Sequence, residues 1–76
     1  MPHEREDLDL RGLKCPLPAL FARRALARAR PGGTIAVLAD DPMAAVDIPH
    51  MCHCEGFEVM QTERLEQGFR FILRRP

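Results

Sequence analysis

Tryptophan and tyrosine are missing from this 76-residue chain, and four phenylalanines are its whole aromatic content. Single-stranded nucleic acid is usually gripped by stacking bases on exposed rings, so the composition argues against such a platform. No run approaches the roughly 20 consecutive apolar residues of a membrane-spanning helix. Residues 1–7 are polar with no apolar run behind them, which does not read as a secretory leader. The expectation is a disordered lead-in over residues 1–7, one small domain over residues 8–76, and a cytoplasmic location. Three cysteines are an odd number, unlike a secreted disulfide framework, and a reducing compartment suits a working thiol. A Gly-rich phosphate loop, a Ser-His-Asp set and a paired-carboxylate site are all lacking. So are internal repeats, low-complexity segments and inter-domain linkers.

What is present is unevenly spread. Eleven basic and eleven acidic residues cancel, yet the six basic residues from Arg11 to Arg30 have no acidic residue among them. From Asp40 to Glu66 there are seven acidic residues against Arg64 alone. Such a basic segment is either a solvated helix face or a docking surface for an acidic partner.

The punctuation divides the chain into six elements. Leu8 to Leu10 alternates apolar and polar as a strand does, and Gly12 breaks it. Pro16 to about Ala29 is rich in Ala, Leu and Arg and reads as a helix, stopped by Pro31-Gly32-Gly33. Thr34 to Ala39 is a continuous apolar run with β-branched residues, a strand covered on at least one face. Asp41 suits a helix N-cap with Pro42 at the first position. Pro49 interrupts that pattern, which predicts an irregular turn or short helix before it and a second helix from about Pro49 to Glu55, ended by Gly56. Phe57 to Leu65 and Phe69 to Arg74 are strands joined around Glu66-Gln67-Gly68. In the last strand Phe69, Phe71 and Leu73 share one face. The order βαβαββ predicts an α/β two-layer sandwich, a mixed four-stranded sheet with two helices on one face.

Cys15 falls where the first strand stops and the first helix begins. Pro16 and Pro18 fit the first helical turn, where a missing N–H costs little, and they stiffen it. A helix N-terminus stabilises an anion, and Lys14 and Arg11 add positive potential, so a lowered thiol pKa is expected. On the helix wheel Ala19, Ala22, Ala25, Leu26 and Ala29 form the core face. Leu17 and Leu20 fall among Arg23 and Arg24 on the other side, and Phe21 lies at the border. Two leucines ringed by arginines beside a thiol predict a partner-docking patch.

Gly12-Leu13-Lys14-Cys15-Pro16-Leu17-Pro18 resembles the Cys-Pro-x-Pro signature of the TusA (SirA-like) sulfur-carrier family. Ala39-Asp40-Asp41-Pro42 and Asp47-Ile48-Pro49, followed by Cys52, resemble that family's second segment in the same order. The resemblance implies the same two-layer sandwich. It also implies that Cys15 accepts a sulfane sulfur as a persulfide and passes it on. The chain would then be a sulfurtransferase-type carrier, not a stand-alone enzyme, with no cofactor beyond the transient persulfide. Implied partners are a cysteine desulfurase or rhodanese-type donor and a relay acceptor; from the residues themselves no membrane partner is expected, and the lack of tryptophan and tyrosine counts against nucleic acid. Destinations include tRNA thiolation, molybdenum-cofactor assembly and sulfur oxidation. The variable signature position, often acidic in the tRNA-thiolation members, is Leu17 here.

Within this reading Asp40 and Asp41 hold the loop near the thiol, and Cys52 is a possible second thiol. Two other readings stand beside it. His50, Cys52, His53 and Cys54 could form a metal-binding module, although Cys52 points away from the other three on a helix and no second ligand pair follows. The arginine face could serve a regulatory or RNA-binding domain.

Overall fold

The computed structural model describes residues 5–76. Strand β1 (Arg5–Asp9), helix α1 (Leu17–Arg28), strand β2 (Thr34–Ala39), helix α2 (Ala44–Glu55) and strands β3 (Glu58–Leu65) and β4 (Gly68–Arg74) follow in the expected order. The sheet order is β1-β2-β4-β3. β1 runs parallel to β2, and β4 runs antiparallel to both β2 and β3. β3 is therefore parallel to β2. Each helix has to bring the chain back across the sheet, so both helices start at the edge where β1 and β2 end. That shared starting edge is what builds the site.

Both helices cover one face of this mixed sheet. Ile35, Val37 and Ala39 of β2 and Phe71 and Leu73 of β4 meet Ala19, Ala22, Ala25 and Leu26 of α1 and Ala44, Ile48 and Cys52 of α2. Burying a side chain the size of Leu26 or Phe71 contributes about 1.5–3 kcal/mol. The alanines of α1 let the helix backbone lie close to the sheet. Phe69 packs at the margin of the same core, so the alternation along β4 puts Phe69, Phe71 and Leu73 on the covered face. β3 is an edge strand and almost wholly exposed.

Several boundaries differ from the expectations, each for a physical reason. β1 begins at Arg5, so Arg5, Glu6 and Asp7 belong to the sheet and not to a lead-in; residues 1–4 lie outside the described residues. Their polarity hid the strand, because the other face of the sheet is open to solvent and β1 is an edge. Helix α1 starts at Leu17, with Pro16 at the N-cap position and Pro18 inside the first turn. Phe21, at the border of the core face on the helix wheel, is exposed.

The largest difference is α2, one helix with Pro49 inside it. A proline there removes the bond to the carbonyl four residues back and normally kinks or ends a helix. The helix continues because Ala44, Ile48 and Cys52, spaced four apart, bury a continuous stripe against the core. Its C-cap, Gly56, has φ 80, a left-handed conformation that a side chain disfavours, and the Phe57 N–H bonds back to the Cys52 carbonyl. In the hairpin Gly68 has φ 105 and lies directly against the Ala39 backbone, where a Cβ would not fit.

Candidate functional site

Cys15 lies in the loop that carries the chain from β1 to α1, and its side chain is exposed. The loop is held by two aspartates from the next crossover. Asp40 Oδ1 accepts the Gly12 N–H at 2.9 Å. Asp41 Oδ2 accepts the Cys15 N–H at 2.6 Å, while its Oδ1 accepts the Met43 N–H at 3.2 Å. Asp41 is buried, and one carboxylate thus ties the backbone at the thiol to the turn that opens α2. The N-cap of α2 is Met43, not Asp41. Asp41 reaches the same helix end from two residues upstream, and its backbone carbonyl accepts the Ala44 N–H. The bonds from Cys15 and Met43, and then the nearby Lys14 charge, hold its carboxyl below the usual range.

The thiol itself faces a third carboxylate. Cys15 Sγ donates to Asp47 Oδ2 at 2.8 Å, and Asp47 sits in the first turn of α2. This contact, then desolvation, then the charges of Asp47 and Asp41 raise the Cys15 pKa above its ordinary value. The expected lowering is therefore overturned. Three features explain why. Pro16 and Pro18 have no N–H, and the Leu17 and Leu20 N–H groups donate to the Lys14 and Pro16 carbonyls, so the start of α1 presents few donors. Arg11 turns away and forms a two-point ion pair with Asp9 at 2.8 Å, which lowers the Asp9 carboxyl to about 2. The Lys14 charge acts on the Asp41 carboxylate. Sequence reading missed Asp47 as a partner of the thiol. The available signal was the βαβαβ order, which puts the first turns of both helices at one sheet edge.

The residues expected to dock a partner do share a surface. Leu17, Leu20 and Phe21 are exposed and line an open groove of about 630 Å3 with Arg23, Arg24, Ala27 and Glu55. Arg23 lies 3.9 Å from Glu55 across the two helices, so part of its charge is engaged, whereas Arg24 has no ion-pair partner among the described residues. Two further apolar side chains, Met43 and Val46, are exposed at the start of α2. Val46 is 60% exposed, more than any of the α1 residues. Both helix starts thus expose apolar side chains.

The second cluster separates. Cys52 is in the core at 1% exposure, where burial pushes its thiol up to about 11, so it is a packing residue and not a surface thiol. Cys54 is exposed and meets His50 Nε2 at 3.5 Å across one helical turn. Among the described residues no three ligating side chains converge as a metal site would require. No described helix is long and apolar enough to cross a membrane.

A family model described as Sulfurtransferase TusA matches residues 6–75. The chain belongs to the TusA family. An Archaeoglobus fulgidus protein named "Putative sulfur carrier protein" is 40% identical over 70 residues, covering 91% of each chain. The crystal structure of a SirA-like protein from Desulfitobacterium hafniense superposes with a TM-score of 0.74 at 25% identity, over 90% of this chain and 92% of that one. That likeness agrees with the βαβαββ sandwich built above, and the family match spans the Cys15 loop and all of α2.

Proposed function

We propose that this TusA-family chain is a sulfur carrier that accepts a sulfane sulfur as a persulfide on Cys15 and passes it to a partner protein. The observation that carries this reading is an exposed thiol, Cys15, whose backbone is clamped by Asp41 at the meeting point of two helix starts. Clamping matters because sulfur transfer needs two sulfurs from different proteins to meet in line, and a fixed thiol lowers the entropic cost of that encounter.

The chemistry is thiol exchange. Deprotonated Cys15 attacks the terminal sulfur of a donor persulfide, a new S–S bond forms on Cys15, and the donor's own S–S bond breaks to release its thiolate. Delivery repeats the step with the roles exchanged, the acceptor's thiolate attacking the terminal sulfur held on Cys15. Nothing is oxidised overall, and no resident cofactor is needed. The donor is a persulfide-bearing protein of the desulfurase or rhodanese type, and the acceptor is a thiol-bearing relay protein. Leu17, Leu20, Phe21, Met43 and Val46 supply the apolar contact around the thiol. Arg23 and Arg24 steer an acidic partner surface towards it.

Intact-mass measurement after treatment with a persulfide donor tests the reading. One sulfur atom is expected on the wild type and on Cys54→Ser, and none on Cys15→Ser. Loading of Cys15→Ser at the wild-type rate would place the carried sulfur on another cysteine and end the proposal.

A further inference from the structure

The thiol of Cys15 is built into a surrounding that opposes its own ionisation. Its Sγ–H points at Asp47 Oδ2, 2.8 Å away, and Asp47 is carried by α2, a different element from the Cys15 loop. The other charged groups facing the thiol are few. Asp41, from the turn before α2, holds the Cys15 N–H. Lys14 precedes it in the same loop. Asp40 is bonded to the Gly12 N–H, and Arg11 is engaged by Asp9. The next titratable group along α2, His50, is paired with Cys54 one turn further on. Two carboxylates against one ammonium is an unusual setting for a nucleophile, because the thiolate form would face like charges.

We propose that Asp47 is a positioning residue that holds Cys15 as a resting thiol and makes the carrier select sulfur donors that bring a positive charge to it. The selectivity half rests on the sulfur-carrier reading; the holding half does not. Attack requires the proton to leave Cys15. A donor carrying a cation near its sulfur neutralises Asp47 on arrival, which favours the thiolate only while the donor is in place. The thiolate then attacks the outer sulfur of R–S–SH, Cys15–S–SH forms, and R–S⁻ departs and takes up the proton. Oxidants and unrelated electrophiles meet a protonated sulfur instead, and the thiol is less reactive towards them.

Alkylation of Cys15 by iodoacetamide, followed by peptide mass spectrometry from neutral to alkaline pH, reads the holding role directly. Asp47→Asn keeps the side-chain shape and removes the charge. Its profile should move down by about one pH unit or more, with a several-fold faster reaction at neutral pH, since some intrinsic nucleophilicity is lost as the pKa falls. An unchanged profile in a variant that melts like the wild type overturns the proposal. If Asp47→Asn does not fold, titration of the Cys15 Cβ resonance in the wild type decides instead. A midpoint above the ordinary thiol value of about 8.5 supports the holding role, and one at or below it refutes that role.

Two small donors read the selectivity, cysteamine persulfide as the cation and 3-mercaptopropionate persulfide as the anion. The ratio of their loading rates on Cys15 should fall several-fold in Asp47→Asn. An identical ratio in both proteins overturns the selectivity. If neither donor loads Cys15, the selectivity falls together with the carrier reading, while the alkylation profile still decides what Asp47 does.

Discussion

The two helices begin side by side, yet their first turns are built from opposite materials. The start of α1 has two prolines, no acidic residue and no side-chain cap. The start of α2 has Asp41 bonded to the Met43 N–H and Asp47 in the first turn, both suited to the positive end of a helix. One helix start is poor in everything that would secure it, and the other has carboxylates that reach beyond their own helix. Asp40, Asp41 and Asp47 each accept a hydrogen bond from the Cys15 loop. The Cys15 loop is thus positioned from outside, by the turn before α2 and the first turn of α2, which are distant in sequence but adjoin it in space. A prolyl turn with few donors of its own leaves the Cys15 side chain exposed, while its placement depends on the β2–α2 turn and the start of α2.

Loosening α2 from the core should disturb the Cys15 loop most. Ile48 is fully buried on its inner face. Ile48→Ala should cost about 2–5 kcal/mol and lower the melting temperature by more than about 10 °C, as read by circular dichroism. Cys15 should then become mobile together with α2, visible as faster amide exchange at Cys15. Melting without any change at the Cys15 loop would show that α1 secures its own start after all.

Asp41→Ala cuts the clamp without disturbing the core face of α2. It should lower the melting temperature by several degrees and also slow persulfide loading, because the bond to the Cys15 N–H is lost along with the one to Met43. The folded pKa of Asp41 is lowered, so its stabilisation is fully present above the ordinary value of 3.8 and is lost as pH falls through the depressed value. Wild-type stability should therefore decline below that point more steeply than that of Asp41→Asn. Parallel acid-melting curves for the two proteins would mean that the carboxylate charge contributes nothing to the fold.

The smallest expected effect lies within α2 itself. Pro49 interrupts the α2 hydrogen-bond ladder although the helix is held by its buried stripe. Pro49→Ala restores the missing donor, and the melting temperature should rise by a few degrees, corresponding to roughly 1 kcal/mol once the lost rigidity of the unfolded chain is counted. A fall would mean that the ring's packing outweighs the hydrogen bond it prevents.

Much of the fold was legible in the chain itself, because its signals are local. The apolar run Thr34–Ala39, the Gly68 turn, the alanine face of α1 and the alternation of Phe69, Phe71 and Leu73 each require only neighbouring residues to be read. The order βαβαββ and the choice of Cys15 as the exposed thiol at a helix start follow from such signals. Where a local rule met a tertiary force, the tertiary force prevailed. Burial of Ala44, Ile48 and Cys52 carried a helix through Pro49, and sheet pairing drew the polar residues Arg5, Glu6 and Asp7 into β1. The same burial turned Cys52 from a possible second thiol into a core side chain.

The chain alone was enough to place Cys15 at a helix start and to name the elements around it, since the composition of a turn or a helix face depends on contiguous residues. Only the tertiary structure decided the state of that residue. Ionisation responds to charges within a few ångströms of space, whatever their separation along the chain. Lys14 and Arg11 are the sequence neighbours of Cys15, but Arg11 folds back on Asp9 and the thiol meets Asp47, 32 residues away. A basic segment in sequence thereby became, at the sulfur atom, an acidic site.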